Sequence, residues 1–180
     1  QSPGQSLTFG RMIADRRTSV AFTGHRTYRG AAADALRRTV GELYARGFRN
    51  FLSGMAVGFD LAAAEAVLEL RERVPGVRLV AAVPFRGQEM RFSPADRERF
   101  RRVLAEADSV EVLAPAYHRG CYAVRNDFLV DNARVLVAWY DGSPGGTRYT
   151  VRRALGRGLE VVNLCPAAPV PPAPEPTLFG

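Results

Sequence analysis

The stretch "NDFLVDNARVLVAWYDGSPGGTRYTVRRAL", residues 126–155, decides the fold. Its apolar run of Val, Leu, Ala and Trp breaks at Asp141 into Gly-Ser-Pro-Gly-Gly-Thr, and apolar residues then resume at helical spacing. That order reads as a buried strand, a glycine turn and a helix.

The same rhythm runs through the chain. "SVAFTG" (19–24) is a short strand ending in Gly, after which Leu36, Val40, Leu43 and Tyr44 recur at helical spacing until Gly47. "FRNFLSG" is a second strand, followed by the Ala- and Leu-rich helix "FDLAAAEAVLELRER". "VRLVAAVPF" is a third strand, and Ser93, Pro94 and Asp96 have the spacing of a capped helix start. "SVEVL" is a fourth strand, with a helix over about 122–132. "RVLVAWY", a helix over about 147–157 and the strand "LEVVNL" complete the pattern. Strands that are apolar throughout and separated by single helices form a parallel sheet covered on both faces. The expected class is therefore α/β, a Rossmann-like three-layer sandwich with a mainly parallel central sheet.

Composition bounds the rest. A chain of 180 residues, 47% hydrophobic, fits one domain with a sizeable core. We assign the domain to residues 18–165, with flexible tails at 1–17 and at the Pro-rich 166–180. No apolar run reaches membrane-spanning length and no signal-peptide pattern is present, so a soluble cytoplasmic protein is expected. Cys121 and Cys165 are too few for a disulfide framework. His118 and Cys121 lie three apart, but a metal needs three or four ligands and only one other His and one distant Cys exist, so no metal and no required cofactor are expected. The net charge is +7 and every basic residue is Arg, which favours anionic partners. The Arg residues are scattered along the sequence and not interleaved with aromatics, which places nucleic acid behind a small anion as partner.

In such a sheet ligands bind in the crevice at the carboxyl ends of the strands. Gly24, His25 and Arg26 follow the first strand, Ser53, Gly54, Met55, Ala56, Gly58 and Asp60 the second, and Pro84, Phe85 and Arg86 the third. Tyr117, His118 and Arg119 follow the fourth, and Asp141, Gly142, Pro144, Gly145, Gly146 and Thr147 the fifth. Gly145 and Gly146 let backbone approach a ligand, and Thr147 is placed to cap a helix whose free N–H groups attract phosphate. A Gly-Gly-Thr turn also serves as plain punctuation. His25 suits a phosphate or base and equally a loop cap. Asp60 suits a ribose hydroxyl and equally the cap of the helix beginning "LAAAEA". Arg125, inside an apolar helix, is expected to point into a cleft or to pair with Asp131 or Asp141. Tyr117 and Phe85 are placed to stack on a base or to join the core.

Taken together, "AFTGHR", "FLSGMAVGFDLAAAEA", "AAVPFRGQ" and "RNDFLVDNARVLVAWYDGSPGGT" resemble the SLOG superfamily, and within it the DUF1273 group that includes YpsA, over about residues 18–165. "SGMAVGFDLAAAE" resembles a motif of DprA, a relative that handles single-stranded DNA. "RNDFLVD" with "PGGT" resembles the paired motifs of the LOG enzymes, which release a nucleobase from a nucleoside monophosphate. The resemblance implies binding of a nucleotide or ADP-ribose-like ligand in the crevice, a regulatory role with a protein partner, and a homo-oligomer. The ligand set would be Gly24, His25, Arg26, Ser53, Gly54, Met55, Ala56, Gly58, Asp60, Pro84, Arg125, Asn126, Gly145, Gly146 and Thr147. Asn126 stands where LOG has Lys, Leu129 where it has Met, and Thr150 where its catalytic Glu falls, so LOG-like cleavage would need a substitute carboxylate from Asp60, Asp131 or Asp141, with Arg125 on the phosphate. LOG-like N-glycosidase action and DprA-like binding of single-stranded nucleic acid are the two alternatives.

Overall fold

A computed structural model describes residues 15–166. Six strands and five helices alternate: β1 (Ser19–Gly24), α1 (Ala33–Ala45), β2 (Asn50–Ser53), α2 (Phe59–Arg71), β3 (Arg78–Val83), α3 (Pro94–Glu106), β4 (Ser109–Val112), α4 (Cys121–Asp131), β5 (Val135–Trp139), α5 (Gly146–Gly156) and β6 (Glu160–Asn163). The strand order is β4-β3-β2-β1-β5-β6, and every pairing is parallel. The sheet is thus wholly parallel, a stricter result than the mainly parallel one expected.

The alternation of each strand assigns its side chains to two cores, because successive residues point to opposite faces. Val20, Phe22, Phe51 and Leu79 join α1, α2 and α3 on one face, where Phe22 stacks on Phe51 and meets Phe59 edge-on. Ala21, Leu52, Val80, Leu136 and Ala138 pack on the other face with Leu129, Val130, Val151 and Ala154 of α4 and α5. Ser93 caps α3 as its sequence predicts, accepting from the Asp96 amide, with Pro94 in the first turn.

All but the first residue of the C-terminal segment expected to be a tail, and most of the N-terminal one, lie outside the described residues. Asp15–Arg17, within that segment, are held to the domain: Asp15 caps a short 3-10 turn over Arg16–Thr18, and Arg16 Nε donates to the Ala133 carbonyl at 3.0 Å. Among the described residues no helix is long and apolar enough to cross a membrane.

The order also places the site. Successive strands run outward from β1 to β4, and the chain then returns to the far side of β1 with β5. The carboxyl ends of β1 and β5 therefore diverge into their loops in opposite directions and leave a crevice between them.

Candidate functional site

A cavity of about 350 Å³ occupies that crevice. Gly24, His25, Arg26, Ala56, Asp60, Arg125, Asn126, Gly145, Gly146 and Thr147, all expected there from sequence, line it, together with Thr23, Tyr122 and Pro144. Thr23 borders the cavity from the next-to-last position of β1, and Tyr122 from the first turn of α4. The signal for Tyr122 was its place one helical turn before Arg125, on the same face of α4.

Ser53, Gly54, Met55, Gly58 and Pro84 are not among the lining residues. Four of them shape the loop behind the lining instead. Ser53 Oγ donates to the Asp60 carbonyl at 2.9 Å and accepts from the Met55 amide at 3.2 Å, which folds the loop after β2. Met55 is fully buried with φ +63. A Cβ on Gly58, where φ is +83, would meet the carbonyl oxygens of Arg26 and His25 at 2.6 and 2.7 Å, so this glycine lets the loops after β1 and β2 touch. A Cβ on Gly54 would meet Arg125 Cδ at 2.7 Å. Pro84 is buried after β3, two strands from β1, where the chain turns toward Phe85, Ala114 and Cys121. Distance from the switch between β1 and β5 removes it from the site.

Arg125 sets the electrostatics. Its side chain is 6% exposed, its Nε donates to Asn126 Oδ1 at 2.8 Å and its Nη1 to the Gly54 carbonyl. Of the two expected placements it takes the cleft and not a pairing with Asp131 or Asp141: Asp131 is engaged by Arg153 and Arg157, and Asp141 lies 2.8 Å from His25 Nε2. Burial lowers its pKa, opposed by the field of Asp60. A guanidinium is so strong a base that it stays charged, and the cavity keeps a fixed positive centre.

Asp60 faces that centre. It is not the cap of α2, a position taken by Gly58, but the second residue of the helix, 5% exposed. Its Oδ2 accepts from the Ala56 amide at 3.3 Å. Burial pushes its pKa up to about 6 against the opposing pull of Arg125.

His25 closes the other rim. Its Nε2 accepts from the Asp141 amide at 3.1 Å, and its ring stands edge-on to Trp139 and tilted on Tyr140. The imidazole therefore ties the loop after β1 to the loop after β5, the loop-fixing reading of this residue, while remaining in the cavity wall. Ser143 holds the Asp141 carboxyl below the usual carboxylate range through its hydroxyl and its amide.

The glycine turn differs from its expectation in one respect. Gly145 caps α5 and carries the unusual dihedral, φ +135, whereas Thr147 supplies no side-chain cap and is buried. Gly146 has no positive φ, and a Cβ there would find only Asn126 Nδ2, at 3.6 Å. The first amides of α5 thus border the cavity behind a residue that neither steric crowding nor dihedral demand requires to be glycine. Thr150, at the position of the LOG Glu, is fully buried and returns its hydroxyl to the Gly146 carbonyl at 2.9 Å. It is not in the cavity wall.

A strip of rings and guanidinium groups leads outward from the cavity. Arg26 and Arg125 lie over the Tyr122 ring at 5.2 and 5.6 Å, Phe85 joins Tyr122 to Tyr117, and Arg91 lies over Tyr117 at 5.1 Å. Tyr117 is 51% exposed while Phe85 is buried in the core. The cations dispersed in sequence are here interleaved with aromatics in space, a correction to the sequence reading that linear spacing could not supply.

Comparison with known proteins agrees with this architecture. Residues 21–158 match the YpsA family model, described as the YspA SLOG family. A UPF0398 protein of Bacillus thuringiensis (strain Al Hakam) is 29% identical over 132 residues, covering 72% of this chain and 71% of the relative. One from Bacillus cereus (strain G9842) is 28% identical over 137 residues, covering 74% of each. Among solved structures, DNA processing protein A of Streptococcus pneumoniae superposes with a TM-score of 0.58 at 19% identity, covering 79% of this chain and 48% of that one. The Helicobacter pylori protein, described for its single-stranded DNA binding mode, gives 0.59 at 16% identity, covering 79% and 63%. This chain spans about half to two thirds of those two proteins, and the likeness is one of fold. With its six parallel strands, its crevice between β1 and β5 and a family match over most of its length, the chain belongs to the YpsA family of SLOG proteins.

Proposed function

We propose that the crevice binds a nucleotide or ADP-ribose-like ligand, with a phosphate at the N-terminus of α5 and beside Arg125, and that the domain acts as a ligand-sensing module. The observation that carries this reading is the convergence of two anion-attracting elements on one cavity: free helix amides behind Gly146, and a buried guanidinium whose carboxylate neighbour does not form an ion pair with it. Hydrolysis in the manner of LOG finds no support at Thr150, whose hydroxyl is spent on its own helix. The test is a thermal-shift panel of nucleosides, nucleotides and ADP-ribose, together with mass spectrometry of small molecules released from the denatured protein. A ligand at about 100 times its Kd adds roughly 2.7 kcal/mol, a clear shift in Tm. No shift with any member at millimolar concentration rejects the reading.

The strip from Tyr122 to Arg91 supports a second reading, binding of single-stranded nucleic acid. An exposed Tyr117 and a half-buried Tyr122, each with an Arg over its ring, form the kind of surface on which bases stack beside their phosphates. Salt dependence separates the two: an oligonucleotide engaging several Arg side chains loses affinity steeply between low and physiological salt, while a mononucleotide loses little.

A further inference from the structure

One atom of a cavity-lining residue is unexplained by the packing. Asp60 Oδ1 is shielded from solvent and has no hydrogen-bond partner among the described residues. The rest of the residue is accounted for: Oδ2 receives the Ala56 amide and the carbonyl receives Ser53 Oγ. Arg125, whose positive charge acts on Asp60 more strongly than that of Arg26, points its Nε and Nη1 at Asn126 and Gly54 instead. Buried polar oxygens without a donor are rare in native proteins because each forfeits the solvation it had in water. A water molecule could be that donor, but Asp60 lies in the wall of a cavity large enough for a nucleoside, beside the proposed phosphate site.

The chemistry of the missing partner is constrained. A carboxylate lacks a donor, so phosphate oxygens cannot satisfy it and a hydroxyl or amine can. In a nucleotide the group adjoining the phosphate is the sugar, and the base lies beyond it. With the phosphate held by Arg125 and the start of α5, the group that meets Asp60 is a sugar hydroxyl.

We infer that Asp60 Oδ1 accepts a hydrogen bond from a ribose hydroxyl, making the site selective for ribonucleotides over deoxyribonucleotides. The inference rests on the nucleotide reading above and sharpens it to a ligand class. It differs from general affinity for nucleotides, because discrimination arises when an analogue without the hydroxyl leaves the buried oxygen unpaired again. Such a charge-assisted bond is worth roughly ten- to a hundredfold in affinity.

The experiment is calorimetric titration of the full chain with AMP, 2′-deoxy-AMP and 3′-deoxy-AMP, and with the corresponding ADP series. The expected result is that wild type binds the ribo form at least tenfold more tightly than one of the two deoxy forms, and that Asp60→Ala binds all three alike. Equal binding of the three by wild type overturns the inference and leaves the nucleotide reading standing. Absence of binding by every member overturns the inference, and the nucleotide reading falls with it only when the full panel of nucleotides and ADP-ribose also gives no shift. The wild-type comparison decides the matter alone if the variant does not fold. A folded Asp60→Ala that keeps the full preference also overturns the assignment, since the hydroxyl must then be read elsewhere.

Discussion

The Arg125 guanidinium donates to the carbonyl of Gly54, a residue 71 positions earlier in the chain, and the two approach so closely that any side chain at 54 would overlap the Arg125 stem. Glycine at 54 therefore exists to let the cation lie flat against the loop after β2. Gly54→Ala is expected to displace the guanidinium and to weaken phosphate binding roughly tenfold while leaving most of the fold's stability. Calorimetry alongside a denaturation curve checks it: loss of stability without loss of affinity would contradict this account.

Arg125→Ala removes the cation itself. The expected loss is about 1.5–3 kcal/mol, or roughly ten- to a hundredfold, for a nucleoside monophosphate. The loss should grow for the diphosphate and vanish for the free nucleoside. Titration of the three ligands into both proteins measures the trend.

Gly146→Val tests the turn apart from the cation. A Cβ at this position meets only Asn126 Nδ2, at 3.6 Å, and the backbone there has no positive φ. The fold should survive while ligand binding falls steeply, because the branched side chain stands where the phosphate approaches the first amides of α5. Binding as tight as wild type would make the turn mere punctuation.

Two other glycines give opposite outcomes. Gly58→Ala must take a dihedral that L residues rarely adopt and must clear two carbonyl oxygens at 2.6 and 2.7 Å, so a loss of at least about 2 kcal/mol is expected. Gly41, inside α1, has open space around its Cα, and Gly41→Ala should gain about 0.5–1 kcal/mol. Urea denaturation of the pair gives both signs in one experiment.

Asp60 makes stability depend on acidity. Its folded pKa is raised to about 6 from the ordinary carboxyl value of 3.8, so between those values the folded protein holds a proton that the unfolded chain has released. Stability contributed by this group is present below pH 4 and is lost as pH rises toward 6, by an amount on the order of 2–3 kcal/mol. Asp60→Asn lacks this slope. Relative to wild type, the variant should gain stability as pH is raised from 4 to 6.5, read from denaturation midpoints across that range.

Much of this was legible in the chain. Most strands were short apolar runs bounded by polar residues or glycine, with Glu111 the one charge inside a strand, and the helices had their own period, so the order of elements followed from local pattern. The crevice followed from where glycine and cation cluster after β1, β2 and β5. What stayed hidden depended on distance across the sheet. Pro84 follows a strand as Gly24 does, and only the strand order shows that β3 ends too far from β5. Gly54 and Gly58 look like ligand glycines in sequence, yet the groups that press on them belong to Arg125 and to the loop after β1. Tyr122 carries no motif; its role comes from lying between two guanidinium groups supplied by α4 and by the loop after β1.

The chain has a single tryptophan, and the fold puts it at the end of β5, with its ring 6.0 Å from His25 and 5.2 Å from Tyr28. His25 is also in the cavity wall and tied to the Asp141 amide across the rim. The protein thus contains its own optical reporter: anything that enters the cavity and shifts the imidazole changes the surroundings of the only indole. Intrinsic emission can follow occupancy in real time, without label or engineered residue, and its stopped-flow trace would separate ligand entry from any slower rearrangement of the rim.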